Sequence, residues 1–328
     1  MIQLTRRQLL GRSLATCALP LAGSITWAQA PYPSRPVKWL VPYLAGTAPD
    51  NSARILAEAV SPILGQPIVI ENRPGAAGNI GTRLAAKAPA DGYTWLYAGT
   101  PIASNMRTYK SPGYDALKDF RHVVRLTASD VGLIVNAESD IKTLDDLLAR
   151  LKARPGQVDY ASGGNGTPSH LGMELLMSVT GTQAMHVPYK GASELVNAVL
   201  GKQVVFGMPI LSVAVPFIQS GKLRALAISG HERNPAVPQV PTFAELGVKG
   251  VELTSWGGVS VPAGTPDAVV ERIHAAFAQA LKSPELIARL EQQGGRVRVL
   301  ASDEFVRSIE QEMKATETMM KKVGLEPV

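Results

Sequence analysis

Short apolar runs alternate along this chain with stretches whose apolar residues recur at helical spacing. Val37-Lys38-Trp39-Leu40-Val41 reads as a strand, and after a loop from Pro42 to Pro49 the residues Ala53, Leu56, Ala57, Val60 and Leu64 share one helical face. Ile68-Val69-Ile70 gives a second strand, Gly75 to Gly81 leads into a helix with Leu84 and Ala85, and Tyr93 to Ala98 gives a third strand. The alternation resumes at Gly132-Leu133-Ile134-Val135 and includes Val158-Asp159-Tyr160 and Met185-His186-Val187. This order predicts an α/β fold with largely parallel sheets, whose strand-to-helix loops share the edge where open sheets bind ligands. Near the C-terminus, Thr265-Pro266 reads as an N-cap followed by a proline at the first helical position. The helix it opens carries Val270, Ile273, Phe277 and Leu281 on one face, and a last helix carries Val306, Ile309, Met313 and Met320.

The N-terminus breaks this pattern. Thr5-Arg6-Arg7-Gln8-Leu9-Leu10 precedes a weakly apolar stretch without acids and a small-x-small end, Ala28-Gln29-Ala30. These parts resemble a twin-arginine export signal, so residues 1–30 are expected to be removed and the mature chain to begin near Pro31 in the periplasm. Cys17, the one cysteine, leaves with it, which excludes disulfide and thiol chemistry from the mature protein. Leu14-Ala15-Thr16 only loosely matches a lipid-attachment box, and Arg12 interrupts the apolar region before it.

Loss of Arg6, Arg7 and Arg12 with no acid lowers the formal charge from +6 to +3. With Lys321-Lys322 the longest basic run of the mature chain, nucleic acid is not an expected partner. No later segment holds eighteen uninterrupted apolar residues, so the mature protein is expected to be soluble. A mature length of about 298 residues exceeds what one core usually organises, which predicts two lobes. Their expected bounds are 31–130 with 255–328, and 131–254. The first crossing then falls near Arg125 to Val131, the return between Ala227 and Ser255, and the C-terminal helices pack on the first lobe. No internal repeat is visible.

Three loops rich in small residues run from a strand into a helix: Pro42 to Asp50, Ala161 to His170, and Tyr189 to Ser193. A helix start offers unpaired N–H groups, and glycines let an anion approach them closely, so these loops point to carboxylate or phosphate binding. Asp50 and Thr167 read equally as N-caps or as ligand contacts, Ser162 and Asn165 as turn residues or contacts, and His170 as a packed imidazole or a contact. Catalytic patterns are weaker. His122, His170, His186, His231 and His274 show no zinc-ligand spacing, the glycine-rich loops lack the Gly-Lys-Ser/Thr ending of a nucleotide loop, and Gly75 to Gly81 has the wrong first spacing for a dinucleotide fingerprint. No metal, cofactor or catalytic residue is expected.

Val41-Pro42-Tyr43 runs through Asp50-Asn51-Ser52-Ala53-Arg54, followed by Glu71-Asn72-Arg73-Pro74 through Gly81, Asp91-Gly92-Tyr93-Thr94 and Tyr160-Ala161-Ser162-Gly163. Val187 to Gly191, Gly221 to Ala227, Val240-Pro241-Thr242 and Pro262 to Pro266 continue the series. In this order and spacing the chain resembles the Bug-type solute-binding proteins of tripartite tricarboxylate transporters over nearly its whole mature length. The resemblance implies a type II periplasmic-binding-protein fold, two α/β lobes joined by crossing strands with a ligand cleft between them. By position it also implies that Tyr43, Gly46, Thr47, Ala48 and Asp50 face Ser162, Gly163, Asn165, Gly166, Thr167 and His170 across a bound carboxylate, with Thr100, Lys190, Gly191 and Pro209 nearby. Gly46-Thr47 stands where the family often has Gly-Gly. Val205 and Pro209 stand where it often has aspartates, which argues against an amino-acid ligand and for a dicarboxylate, aromatic if Tyr43 and Phe206 to Pro209 flank it.

The expected function is a monomeric receptor that delivers a small organic carboxylate to membrane permease subunits. The alternatives are a ligand sensor for an envelope signalling protein and, from Ser162 with His170, an exported hydrolase. Replacing Arg6 and Arg7 by lysine should stop mature protein from appearing outside the cytoplasm in cell fractionation. Unchanged export would assign the signal to general secretion instead.

Overall fold

The computed structural model describes residues 32–292 and 294–328, so the export segment read at residues 1–30 lies outside the described residues. The first half-sheet comes from β1 (Val37–Val41), α1 (Ala48–Leu64), β2 (Ile68–Asn72), α2 (Asn79–Ala86), β3 (Thr94–Gly99) and α3 (Pro101–Thr108). After β4 (Phe120–Asp130) the chain passes into β5 (Gly132–Asn136), α4 (Leu144–Ala153), β6 (Asp159–Ser162), α5 (Pro168–Thr180), β7 (Met185–Pro188) and α6 (Ala192–Leu200). Then follow β8 (Phe206–Gly207), α7 (Leu211–Gln219) and β9 (Leu223–Ile228), before β10 (Thr254–Pro262), α8 (Asp267–Ala280), α9 (Pro284–Glu291), β11 (Gly295–Ala301) and α10 (Ser302–Val323).

The strands form a six-stranded sheet, β11-β4-β10-β3-β1-β2, and a five-stranded sheet, β7-β6-β8-β5-β9. Only part of each is parallel: β2, β1 and β3 in the first, β7, β6 and β8 in the second. The remaining strands pair antiparallel, which corrects the expectation of largely parallel sheets. Periodicity identifies a strand and the face it buries; pairing direction comes from connections that no single strand encodes.

In the first lobe Trp39, Trp95 and Phe277 lock together with ring centroids 5.5–5.9 Å apart, joining the sheet to α8. Their burial in edge-to-face and tilted contacts anchors α1, α8 and α9 to one core. The helix α1 buries Ala53, Leu56, Ala57, Val60 and Leu64 and stops at Gly65, whose φ of 80° and N–H bond to Ser61 O form a left-handed cap. Two C-terminal readings shift by one residue. Pro266, not Thr265, occupies the N-cap of α8, because the Thr265 hydroxyl is engaged 2.7 Å from Pro262 O. In α10 it is Phe305 with Ile309 that enters the core, while Val306 is half-buried.

Only Val131 separates β4 from β5, and the chain returns between β9 and β10. At the crossing the Val131 N–H donates to Ser229 Oγ at 3.0 Å, the Ser229 N–H returns to Val131 O at 3.0 Å, and the Ser229 hydroxyl donates to Leu253 O. This staple ties the crossing segments while the sheets on either side keep separate cores.

Candidate functional site

The parallel half of each sheet fixes the site. β1, β2 and β3 each run directly into α1, α2 and α3, and β6, β7 and β8 into α5, α6 and α7, so each triplet places its strand-to-helix loops on one edge. The two edges face one another across a cavity. The N-cap residues of all six helices, Thr47, Gly78, Thr100, Thr167, Gly191 and Ile210, lie on its wall. None of these side chains caps its own helix, and prolines at the starts of α1, α3 and α5 remove one N–H each without interrupting the turn. The partial positive charge of six helix starts therefore bears on one small volume. Among the described residues its wall carries no carboxylate, and Lys190 is its one charged residue.

Two of the loops share one geometry. Gly46 (φ 75°) precedes Thr47, whose N–H and hydroxyl both bond Leu44 O at 3.3 and 2.6 Å. Gly166 (φ 76°) precedes Thr167, whose N–H and hydroxyl both bond Gly164 O at the same distances. Each threonine closes its loop and leaves the helix start beyond it open. Across the cleft the Ser104 hydroxyl donates to Gly166 O at 2.9 Å, so the lobes touch at this loop. A Cβ on Gly166 would overlap Thr108 Oγ1 and lie 2.9 Å from Asn105 Oδ1, which is why glycine is required there.

Of the residues expected at the site, Tyr43, Thr47, Thr100, Gly163, Thr167, Lys190 and Gly191 reach the wall. The others do not, for physical reasons. Asp50 sits in the first turn of α1, not at its N-cap, with its carboxylate turned away to accept from Gly46 N at 2.9 Å, Asn72 Nδ2 at 2.9 Å and Arg54 Nε at 3.0 Å. Burial alone would raise its pKa, but these partners outweigh it and hold the group below the usual carboxylate range. Gly46 is exposed behind the loop, Ala48 faces an adjoining chamber, and Asn165 and Gly166 shape the backbone without lining the cavity. Pro209 is buried in the join between lobes, its carbonyl accepting from Gly132 N at 2.9 Å. Val205 packs against the second-lobe core. Neither position lines the cavity.

Ser162 and His170 lie beneath the cradle. His170 Nδ1 accepts from Gly166 N at 3.3 Å, its ring stacks on His186 at 4.4 Å, and His186 stacks on Tyr160 at 4.9 Å. Ser162 is fully buried and bonds His186 Nε2, not His170, while accepting from Gly164 N at 3.0 Å. The Ser162–His170 pair that a hydrolase would need is therefore not formed. Instead Ser162 ties down the N–H of Gly164 and His170 that of Gly166. Burial, with repulsion from His186, pushes His170 down to about 3, and burial pushes His186 down to about 4, so both stay neutral and keep their acceptor nitrogens.

Sequence reasoning missed Trp256, Ser255, Ser169, Ala77, Gly78 and Ile210 on the wall. For Gly78 a signal existed: Gly75 to Gly81 is a fourth small-residue loop before a helix, and Ala76, Ala77 and Gly78 all adopt positive φ there. Trp256 carries no such mark, because β10 reaches the cleft by crossing back from the other sheet; its N–H is held by Thr100 Oγ1 at 3.1 Å. Among the described residues no group of His, Cys, Asp and Glu could hold a metal ion.

The model of the tripartite tricarboxylate transporter family receptor matches residues 52–325. The periplasmic binding protein BugD is similar in structure, with TM-score 0.86 and 32% identity over 90% of this chain and 100% of that one. R. palustris Rpa4515, solved with adipate, gives TM-score 0.88 at 32% identity over 90% and 100%. MatC from Rhodopseudomonas palustris, solved with malate, gives 0.83 at 29% over 88% and 99%.

Gly46→Ala and Gly166→Ala impose the same left-handed backbone strain, about 1–2 kcal/mol, but only the second meets atoms of the opposite lobe. Gly166→Ala should abolish the ligand-induced fall in radius of gyration seen by small-angle scattering, and Gly46→Ala should preserve it. Because His170, His186 and the likewise buried His122 titrate lower in the folded chain than in the unfolded one (ordinary value near 6.5), the unfolded state binds more protons below that value. Their contribution to stability is flat above about pH 6.5 and declines as pH falls toward 4. Urea titrations should show this fall, and it should be shallower in His170→Gln.

Proposed function

This chain belongs to the tripartite tricarboxylate transporter receptor family of Bug-type binding proteins, and from that premise we propose that it works in the periplasm as a receptor that closes on a small dicarboxylate and presents it to a membrane permease. The observation that carries this reading is the convergence of six helix N-termini on a wall free of carboxylates. In a closed cleft with little water, aligned N–H groups bind a carboxylate without a formal cation, and the absence of any acid leaves an ammonium group unpaired. No wall residue can neutralise an amine, so an amino acid is the poorer ligand. The adipate and malate held by two relatives support a dicarboxylate. Tyr43 and Trp256 supply apolar surface for the body of such a molecule.

Calorimetry across mono- and dicarboxylates and the matching amino acids tests the reading. A dicarboxylate should bind more tightly than the amino acid of similar size, and tighter binding of glutamate or aspartate than of every simple dicarboxylate would refute it. A second test adds charge to the wall. Ala192→Asp places a carboxylate in the first turn of α6, facing the cavity, and should weaken binding by on the order of 3 kcal/mol, while the nearly isosteric Ala192→Asn should lose far less.

A further inference from the structure

A second chamber adjoins the first, and Pro49, Ile210, Ser255 and Trp256 form the wall common to both. Its character is different. Ser52 of α1, Tyr97 of β3, Thr127 and Ser129 of β4 and Ser212 of α7 line it together with the shared Ser255 of β10, and among the described residues its wall has neither an acid nor a base. These hydroxyls come from both lobes, on α1, β3, β4, α7 and β10, so the chamber is complete only when the lobes meet.

The convergence is built into the sheet. Gly257 lies between β3 and β4, paired with Gly99 on one side and Thr127 on the other. A Cβ there would collide with the Tyr97 hydroxyl and lie 2.9 Å from Thr127 Oγ1, so the missing side chain is what admits both hydroxyls to the chamber. From the opposite lobe, Ser212 Oγ is buried with no hydrogen-bond partner among the described residues. A buried hydroxyl left unpaired is costly, which favours a ligand group that pairs with it.

We propose that this chamber receives the far end of the ligand, so that the protein selects an elongated carboxylate bearing a second hydrogen-bonding group, a carboxyl or a hydroxyl, at that end. The assignment rests on the carboxylate reading above. The helix starts hold the near carboxylate in the first chamber, the Pro49–Ile210–Trp256 waist encloses the apolar middle, and the hydroxyl ring reads the far end. A bare alkyl end would leave the buried Ser212 Oγ unpaired, and an ammonium end would find no counter-charge.

The test uses the full mature chain and calorimetry with equal-length acids ending in carboxyl, hydroxyl, ammonium or methyl, beside a short acid that fills only the first chamber. The carboxyl- or hydroxyl-ended acid should bind roughly tenfold or more tightly than its methyl- and ammonium-ended partners. Ser52→Leu should remove that advantage and leave the short acid unaffected, and Tyr97→Phe, which keeps the ring, should act in the same direction. Equal affinities for polar and methyl ends in the parent protein, or equal loss for short and long acids in both variants, would overturn the chamber assignment alone. Failure of every acid to bind the folded parent protein would overturn the receptor reading and this assignment together.

Discussion

An α-helix cannot satisfy the N–H groups of its own first turn, and in this protein six helices bring that deficit to one small cavity. The rest of the site follows from it. Acids are kept off the wall, and the one carboxylate in the first turn of α1, Asp50, is turned outward and fully occupied by Gly46, Asn72 and Arg54. Prolines begin three of the helices where an N–H would otherwise be spent, and Thr47 and Thr167 bind backward to their own loops instead of capping forward. A field assembled from backbone groups has no protonation state to lose, so anion binding does not depend on a titrating side chain.

Such a field is useful only when water is excluded, and that requirement explains the close packing across the cleft. Gly166 meets α3, and Gly191 approaches Leu44, at distances a side chain would spoil. Beneath Gly166 the neutral His170–His186–Tyr160 stack holds the loop from the second-lobe side. Closure is permitted because the lobes have separate cores and meet through crossing segments pinned by Ser229, which allows rotation of two preformed halves without repacking either one.

The two chambers divide the labour of recognition. Helix starts supply attraction for an anion of almost any shape, whereas the hydroxyl-lined space against β3, β4 and β10 depends on length and on the far group.

What the sequence determined by itself is whatever depends on neighbours along the chain. Periodicity placed the strands of β1, β3, β5 and β6 and the buried face of α1, because the burial of a helix face or strand is set locally by spacing. Small-residue loops before helices pointed to anion binding, because a helix start carries its N–H groups wherever it lies, and the family resemblance was legible in ordered motifs. Tertiary structure alone decided which loops meet and which way each side chain turns. His170 and Asp50 have the chemistry of ligand contacts, yet packing assigns one to an imidazole stack and the other to an ion pair. Trp256 and the chamber hydroxyls reach the cleft only through antiparallel strands that return from distant parts of the chain, and pairing between such strands is fixed by long-range closure, which no local pattern records.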